Sequence, residues 1–128
     1  IKLIDMAIVN KVDLKLKVDI DNSIKYQIIT FCFFERIIIS HSDLNFLAVL
    51  AKHPKIEISK FCVLLTKLNI FKSAQSARNA ISKAEKKNLV IKRGTNKKTI
   101  VLNKTINVQK EGLVLLDYKI LGSESKEA

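Results

Sequence analysis

SAQSARNAISKAEKKNLVIKRGTNKKTIVL, residues Ser73 to Leu102, decides how the rest of the chain is read. Ala77, Ala80, Ile81 and Ala84 recur at helical spacing and make one narrow apolar face. At 100° per residue, Gln75, Asn79, Ser82 and Lys86 point the opposite way, with Lys72, Ser76, Arg78 and Lys83 on the flanks. A solvated helix usually carries Glu and Lys there. This one carries Gln, Asn, Ser, Arg and Lys, side chains that can hydrogen-bond base edges and phosphates. Asn88 suits the left-handed residue that closes a helix. LVIKR (89–93) and KTIVL (98–102) then read as two strands around the turn GTNK (94–97), whose tip crowds Arg93, Lys97 and Lys98 together.

Charge is concentrated around the same stretch. The 128 residues carry a formal net charge of +11 and are 48% hydrophobic, enough for an ordinary folded domain. Residues 55–104 hold thirteen Lys/Arg against two Asp/Glu. Residues 1–54 hold seven against six, and residues 105–128 three against four. The whole excess therefore lies in fifty residues, and such localisation favours a polyanion. Lysine abundance by itself says less. Ile, Lys and Asn make up 47 of the 128 residues, the bias of an A+T-rich genome such as that of a low-GC bacterium or a phage.

Upstream, Val12, Leu14, Leu16, Val18 and Ile20 alternate with charged residues, which predicts a half-buried strand over 12–20. Asp21, Asn22 and Ser23 form a break suited to a turn or a helix cap. The sixteen residues 24–39, IKYQIITFCFFERIII, are long for a strand and predict an apolar helix. Its apolar surface is wide, which makes it either a central core helix or part of a dimer interface. A trihelical pattern follows. Ser42 or Ser40 caps DLNFLAVLAKH, with Leu44, Leu47, Ala48 and Ala51 as its stripe and Pro54 as its stop. Ile56 and Ile58 form an extended link, and Ser59 caps KFCVLLTKLN, with Phe61, Leu64, Leu65 and Leu68 turned inward. Asn69 is a candidate left-handed residue, Ile70 and Phe71 plug between helices, and Ser73 caps the third helix. Near the C-terminus, GLVLLDYKIL (112–121) is a second extended run whose simplest partner is the 12–20 strand.

Residues 42–102 resemble the winged helix-turn-helix superfamily, including its MarR-like and other bacterial or phage transcription-regulator branches. The resemblance is carried by SDLNFLAVLAKH as first helix, EISKFCVLLTKLNI as second, and SARNAISKAEKKNLVIKRGTNKKTIVL as recognition helix and wing. AISKAEKKNLVIKRG is similar to the superfamily's recognition helix ending in Leu-Glu-x-x-Gly, followed by an apolar strand and a basic residue. Ala84 stands in place of that Leu and Asn88 in place of that Gly. The resemblance implies that Gln75, Ser76, Arg78, Asn79, Ser82, Lys83 and Lys86 face the major groove of double-stranded DNA. It likewise places Arg93, Thr95, Asn96, Lys97 and Lys98 at the wing.

The expected fold class is therefore α+β: a winged helix-turn-helix of three helices and a β-hairpin wing, with extra N- and C-terminal strands and a long apolar helix at 24–39. One domain is expected over 1–122, divided into an extension (1–41), the winged core (42–102) and a C-terminal strand (103–122), with 123–128 a flexible tail. Lys55, Lys60, Lys67 and Lys72 would position such a module through phosphates. Regulators of this class commonly act as two-fold dimers, so a homo-oligomer is expected. The competing expectation is an interaction or assembly module without DNA reading, such as a phage structural or accessory protein or a polymerase-associated subunit. Its working surface would be 24–39 and the terminal strands. RNA is a weaker partner, because no aromatic stacking platform is visible.

Other chemistries find no support. RGTNKKT lacks the spacing of a phosphate-binding loop and lies between strands. His41, Ser42 and Asp43 are a helix start, since adjacency in sequence gives no triad geometry. His41, His53, Cys32 and Cys62 are too scattered for zinc, and the carboxylates are dispersed. No enzyme activity, metal or cofactor is expected. Cys32 and Cys62 lie in apolar runs and fit no disulfide framework, pointing to a reducing, cytoplasmic compartment. Ile28–Ile39 is interrupted by Glu35 and Arg36 and is too short for a bilayer. Ile1–Lys11 lacks the pattern of a secretion signal, and the absence of a first Met leads to the expectation of residues upstream.

Overall fold

The polar break at Asp21-Asn22-Ser23 opens a helix. In the computed structural model, which describes residues 8–10, 19–110 and 118–120, α1 spans Ile20–Phe34 and carries Asp21 in its first turn, where the helix dipole favours an anion. Asp21 also pairs with Lys52. The long apolar helix thus exists but lies four to five residues further toward the N-terminus than 24–39. It stops because Arg36 adopts a left-handed backbone (φ 59°), with Ile37 N–H returning to the Cys32 carbonyl at 2.8 Å. Ile37, Ile38 and Ile39 are consequently a connector.

Ser40, not Ser42, caps α2 (His41–Ala51). Its hydroxyl accepts from Asp43 N–H at 3.1 Å, while its own N–H donates to the Asp43 carboxylate at 3.2 Å, a complete capping box. α2 buries Leu44, Phe46, Leu47, Ala48 and Leu50, with Ala51 half-buried. β2 (Ile56–Glu57) leads directly into α3 (Ile58–Lys67). Ser59 therefore sits in the first turn of α3 and is not its cap. Glu57 holds the cap position without a side-chain bond, because the ladder that draws Ile58 N–H to the Lys98 carbonyl (2.8 Å) turns the chain into the helix earlier. α3 buries Phe61, Cys62 and Leu65. Leu64 is half-buried, and Leu68, expected inside, is 51% exposed, because the helix has ended and Asn69 (φ 60°) redirects the chain. Ile70 and Phe71 pack on the core as expected, the Phe71 ring 6.0 Å from that of Phe46.

α4 (Ala74–Lys86) buries the face read from its spacing: Ala77, Ala80, Ile81 and Ala84. Asn88 is left-handed (φ 62°), and the chain then folds as β3 (Val90–Arg93), a short 3-10 turn (Thr95–Lys97) and β4 (Thr99–Leu102). The extended link before α3 is the third strand. The sheet order is β2-β4-β3, antiparallel throughout, with Ile56 opposite Ile100 and Arg93 opposite Thr99. The described residues 20–110 thus form an α+β unit, four helices and a three-stranded sheet around Ile24, Ile28, Phe46, Leu47, Leu50, Phe61, Leu65, Ile81, Leu89 and Ile100. No helix among the described residues is long and apolar enough to cross a membrane.

Residues 103–110 run without regular structure but belong to this unit. Ile106 is buried, and the Gln27 side chain both accepts from Gln109 N–H (2.6 Å) and donates to its carbonyl (2.7 Å). Contacts group the chain into two units, Ile20–Lys110 and the paired ends, Ile1–Asp19 with Glu111–Ala128. In the second, β1 (Ile8–Asn10) pairs antiparallel with β5 (Tyr118–Ile120), Val9 opposite Lys119. The described part of the C-terminal strand pairs with 8–10, and the expected pairing of 112–121 with 12–20 lies outside the described residues. Residues 11–18 and the 123–128 tail lie outside the described residues, and Ile20 belongs to α1.

Candidate nucleic-acid interface

The outer surface of α4 follows from what its inner surface uses up. Four small or β-branched apolar residues meet the core, so the remaining side chains have nowhere to go but outward. Gln75, Ser76, Arg78, Asn79, Ser82, Lys83 and Lys86 are all exposed. Ser73 fixes the start of the helix, its hydroxyl accepting from Ser76 N–H at 3.1 Å. One turn on, Gln75 Nε2 donates to Asn79 Oδ1 at 3.0 Å, so two of the amide side chains already hold one another in register. Lys83 and Lys86 occupy the last turn, where the helix dipole by itself favours a cation.

The turn between β3 and β4 is built for close, exposed backbone. Gly94 has φ 86°, and Asn96 and Lys97 follow at φ 57° and 52°. Thr99 Oγ1 donates to the Arg93 carbonyl at 2.7 Å and closes the turn. Arg93, Thr95, Asn96, Lys97 and Lys98 are all exposed at its tip. Lys60 on α3 and Lys72 in the α3–α4 turn are exposed as well.

Three of these cations converge. Arg78 from α4 and Lys97 and Lys98 from the turn line one open groove of about 430 Å³. Its other wall is the start of α3: Glu57, Ile58 and Ser59. The α3 start carries no side-chain cap bond, and Glu57 at its cap position offsets the positive end of the helix dipole there. Glu57 is the one opposing charge in that wall. Burial pushes the Cys62 thiol on α3 up, and the Arg78 charge draws it only part of the way back. Cys32 is likewise raised by burial, and both cysteines are free. No protein family, curated protein or solved structure matches the chain.

Not every lysine of the basic segment is available. Lys92 pairs with Glu85 at 3.3 Å, and Lys87 donates to the Ile38 carbonyl at 2.7 Å. Neither was singled out from the sequence. Glu57, Ile58 and Ser59 were not expected to line the site either, since only the β2–β4 ladder brings them beside the turn. Gln75, Asn79, Ser82, Lys83 and Lys86 share the exposed side of α4 but do not line the groove, and neither do Lys60, Lys72, Arg93, Thr95 and Asn96. Among the described residues no group of three or more His, Cys, Asp or Glu could hold a metal ion.

Proposed function

We propose that the Ile20–Lys110 unit is a winged helix-turn-helix that binds double-stranded DNA, as a transcriptional regulator or DNA-organising protein. On this reading α2, α3 and α4 are the three-helix core and β3–β4 the wing. α4 enters the major groove, with Gln75, Asn79 and Ser82 toward base edges and Ser76, Lys83 and Lys86 toward the walls. The 94–98 turn, with Arg93, lies on the adjacent backbone or minor groove. Arg78, Lys97 and Lys98 hold a phosphate at the start of α3, and Lys60 and Lys72 extend the phosphate contacts along the flank.

The single observation that carries this reading is that Arg78, Lys97 and Lys98 line one open groove beside a helix whose exposed side is Gln, Asn, Ser, Arg and Lys, its one carboxylate, Glu85, being paired with Lys92. Glu57 offsets one of the three positive charges, and a bound anion would balance the remaining excess.

The test is the affinity of the full chain for a duplex, followed from about 50 to about 300 mM salt. If about five phosphates are neutralised, log K falls against log salt with a slope of roughly −4 to −5. No binding at the low end refutes the proposal. The second reading, a winged-helix interaction or assembly module, is favoured by the exposed Phe33, Phe34 and Ile38. It predicts a stable protein complex together with no affinity for duplex, which light scattering with and without DNA distinguishes.

A further inference from the structure

α1 has two apolar faces, and the core uses one. Ile24, Ile28 and Cys32 are buried. On the adjoining side, one position on from Ile28 and Cys32, Ile29 is 45% and Phe33 75% exposed; Phe34 is 74% exposed, and Ile38 in the connector is 87% exposed. Single exposed apolar residues are ordinary, but three this exposed within six positions are not. The Phe33 and Phe34 rings stand edge to face with centroids 5.6 Å apart, so they form one raised block. Next to it runs an open, largely apolar groove of about 440 Å³, lined by Ile29, Phe33, Ile37, Ile38, Ile39 and Leu44 among others.

We propose that this face is a self-association surface whose occupant is a second copy of this chain. The surface is self-complementary. It carries a knob that does not line the groove, Phe34, and a groove able to take a phenyl ring, side by side on one element. A two-fold axis between them seats each Phe34 in the other protomer's groove, the reciprocal pairing that an isologous contact requires. Charge at the rim agrees. Glu35 and Arg36 follow directly after Phe34 and are both exposed, so the rim carries one charge of each sign and no net charge that opposes the meeting of two copies. Area also agrees. The four residues expose roughly 500 Å² in each protomer, so complete burial removes at most about 1,000 Å² in all, the threshold of a specific interface. The dimer is therefore a reversible one. The inference stands on these residues alone and does not depend on DNA binding.

Sedimentation equilibrium of the full 128-residue chain without DNA tests it, from about 1 to about 200 µM. The wild type is expected to move from 14.5 kDa toward twice that mass as concentration rises. Phe34→Asp and Ile38→Asp place a charge in the contact and are expected to weaken association at least ~100-fold. Phe34→Ala and Ile38→Ala only shorten exposed side chains and are expected to weaken it about tenfold each. Far-ultraviolet circular dichroism of each variant verifies the helices, and the Ala pair decides the matter if an Asp variant is misfolded. A wild type that stays monomeric overturns the proposal and leaves the face to a different protein. A dimer that forms equally well in the Ala pair overturns it too.

Discussion

Replacing Lys97 and Lys98 together by Ala removes two of the three cations in the groove beside α3. The backbone bonds of these residues survive the change: Lys97 N–H donates to the Gly94 carbonyl at 3.0 Å, and the Lys98 carbonyl accepts from Ile58 N–H at 2.8 Å. Both side chains are exposed, so the hairpin is expected to keep its shape. If each ammonium neutralises one phosphate, its loss takes about 0.9 from the slope of log K against log salt. At about 0.1 M salt this is about eightfold, or about 1.2 kcal/mol, per contact. The double variant should therefore bind roughly 60-fold more weakly at that salt, with the slope moving from roughly −4.5 to roughly −2.7. The two lines should converge near 1 M, and the loss should be the same for every duplex sequence. Fluorescence anisotropy with a labelled duplex over a salt series measures both quantities. Parallel lines, or an unchanged affinity, would refute the phosphate role. A control of opposite sign is Glu57→Gln, which removes the opposing charge from the groove wall and should tighten binding about three- to tenfold at low salt.

Three further outcomes follow from local geometry. Asn79→Ala removes the amide that accepts from Gln75, and it should shrink the affinity ratio between a selected duplex and a scrambled one about tenfold while leaving the salt slope alone; equal loss on both duplexes would remove Asn79 from base reading. Ser40→Ala deletes the side-chain half of the α2 capping box and should cost about 1 kcal/mol, a fall of about 4–8 °C in Tm by calorimetry. An unchanged Tm would mean the cap contributes nothing. Gly94→Ala puts a Cβ 2.9 Å from Thr99 Oγ1 at φ 86°, so the hairpin should lose about 1–3 kcal/mol and its amides should exchange faster; wild-type protection would contradict the observed turn.

What could be read in advance was what depends on a helix's own period or on one residue's backbone preference. Ala77, Ala80, Ile81 and Ala84 face the core because spacing alone decides it, and Asn69 and Asn88 take left-handed backbones because few residues do so cheaply. The errors share another cause. Arg36 at φ 59° has no local signature, so the end of α1 at Phe34 was invisible. Ser59 has the composition of a cap, but the pairing of Glu57 with Thr99, forty-two positions later in the chain, starts the helix before it. The candidate site divides the same way. Exposure of the α4 candidates followed from periodicity, and that of the 93–98 candidates from turn chemistry. The meeting of Arg78 with Lys97 and Lys98, and the lysines withdrawn by Glu85 and the Ile38 carbonyl, depend on the folded hairpin and connector.

α4 meets the core through three alanines and one isoleucine, and its inner and outer faces have no residue in common. Helices that touch through alanine approach closely, near the short end of the ~8–10 Å range of packed axes. Ile81 is the one long side chain that α4 contributes to this seat, so little on its own inner face can repack. The seven outer positions are free of any such duty. Those positions can therefore be substituted one at a time with the stability of the support left nearly intact.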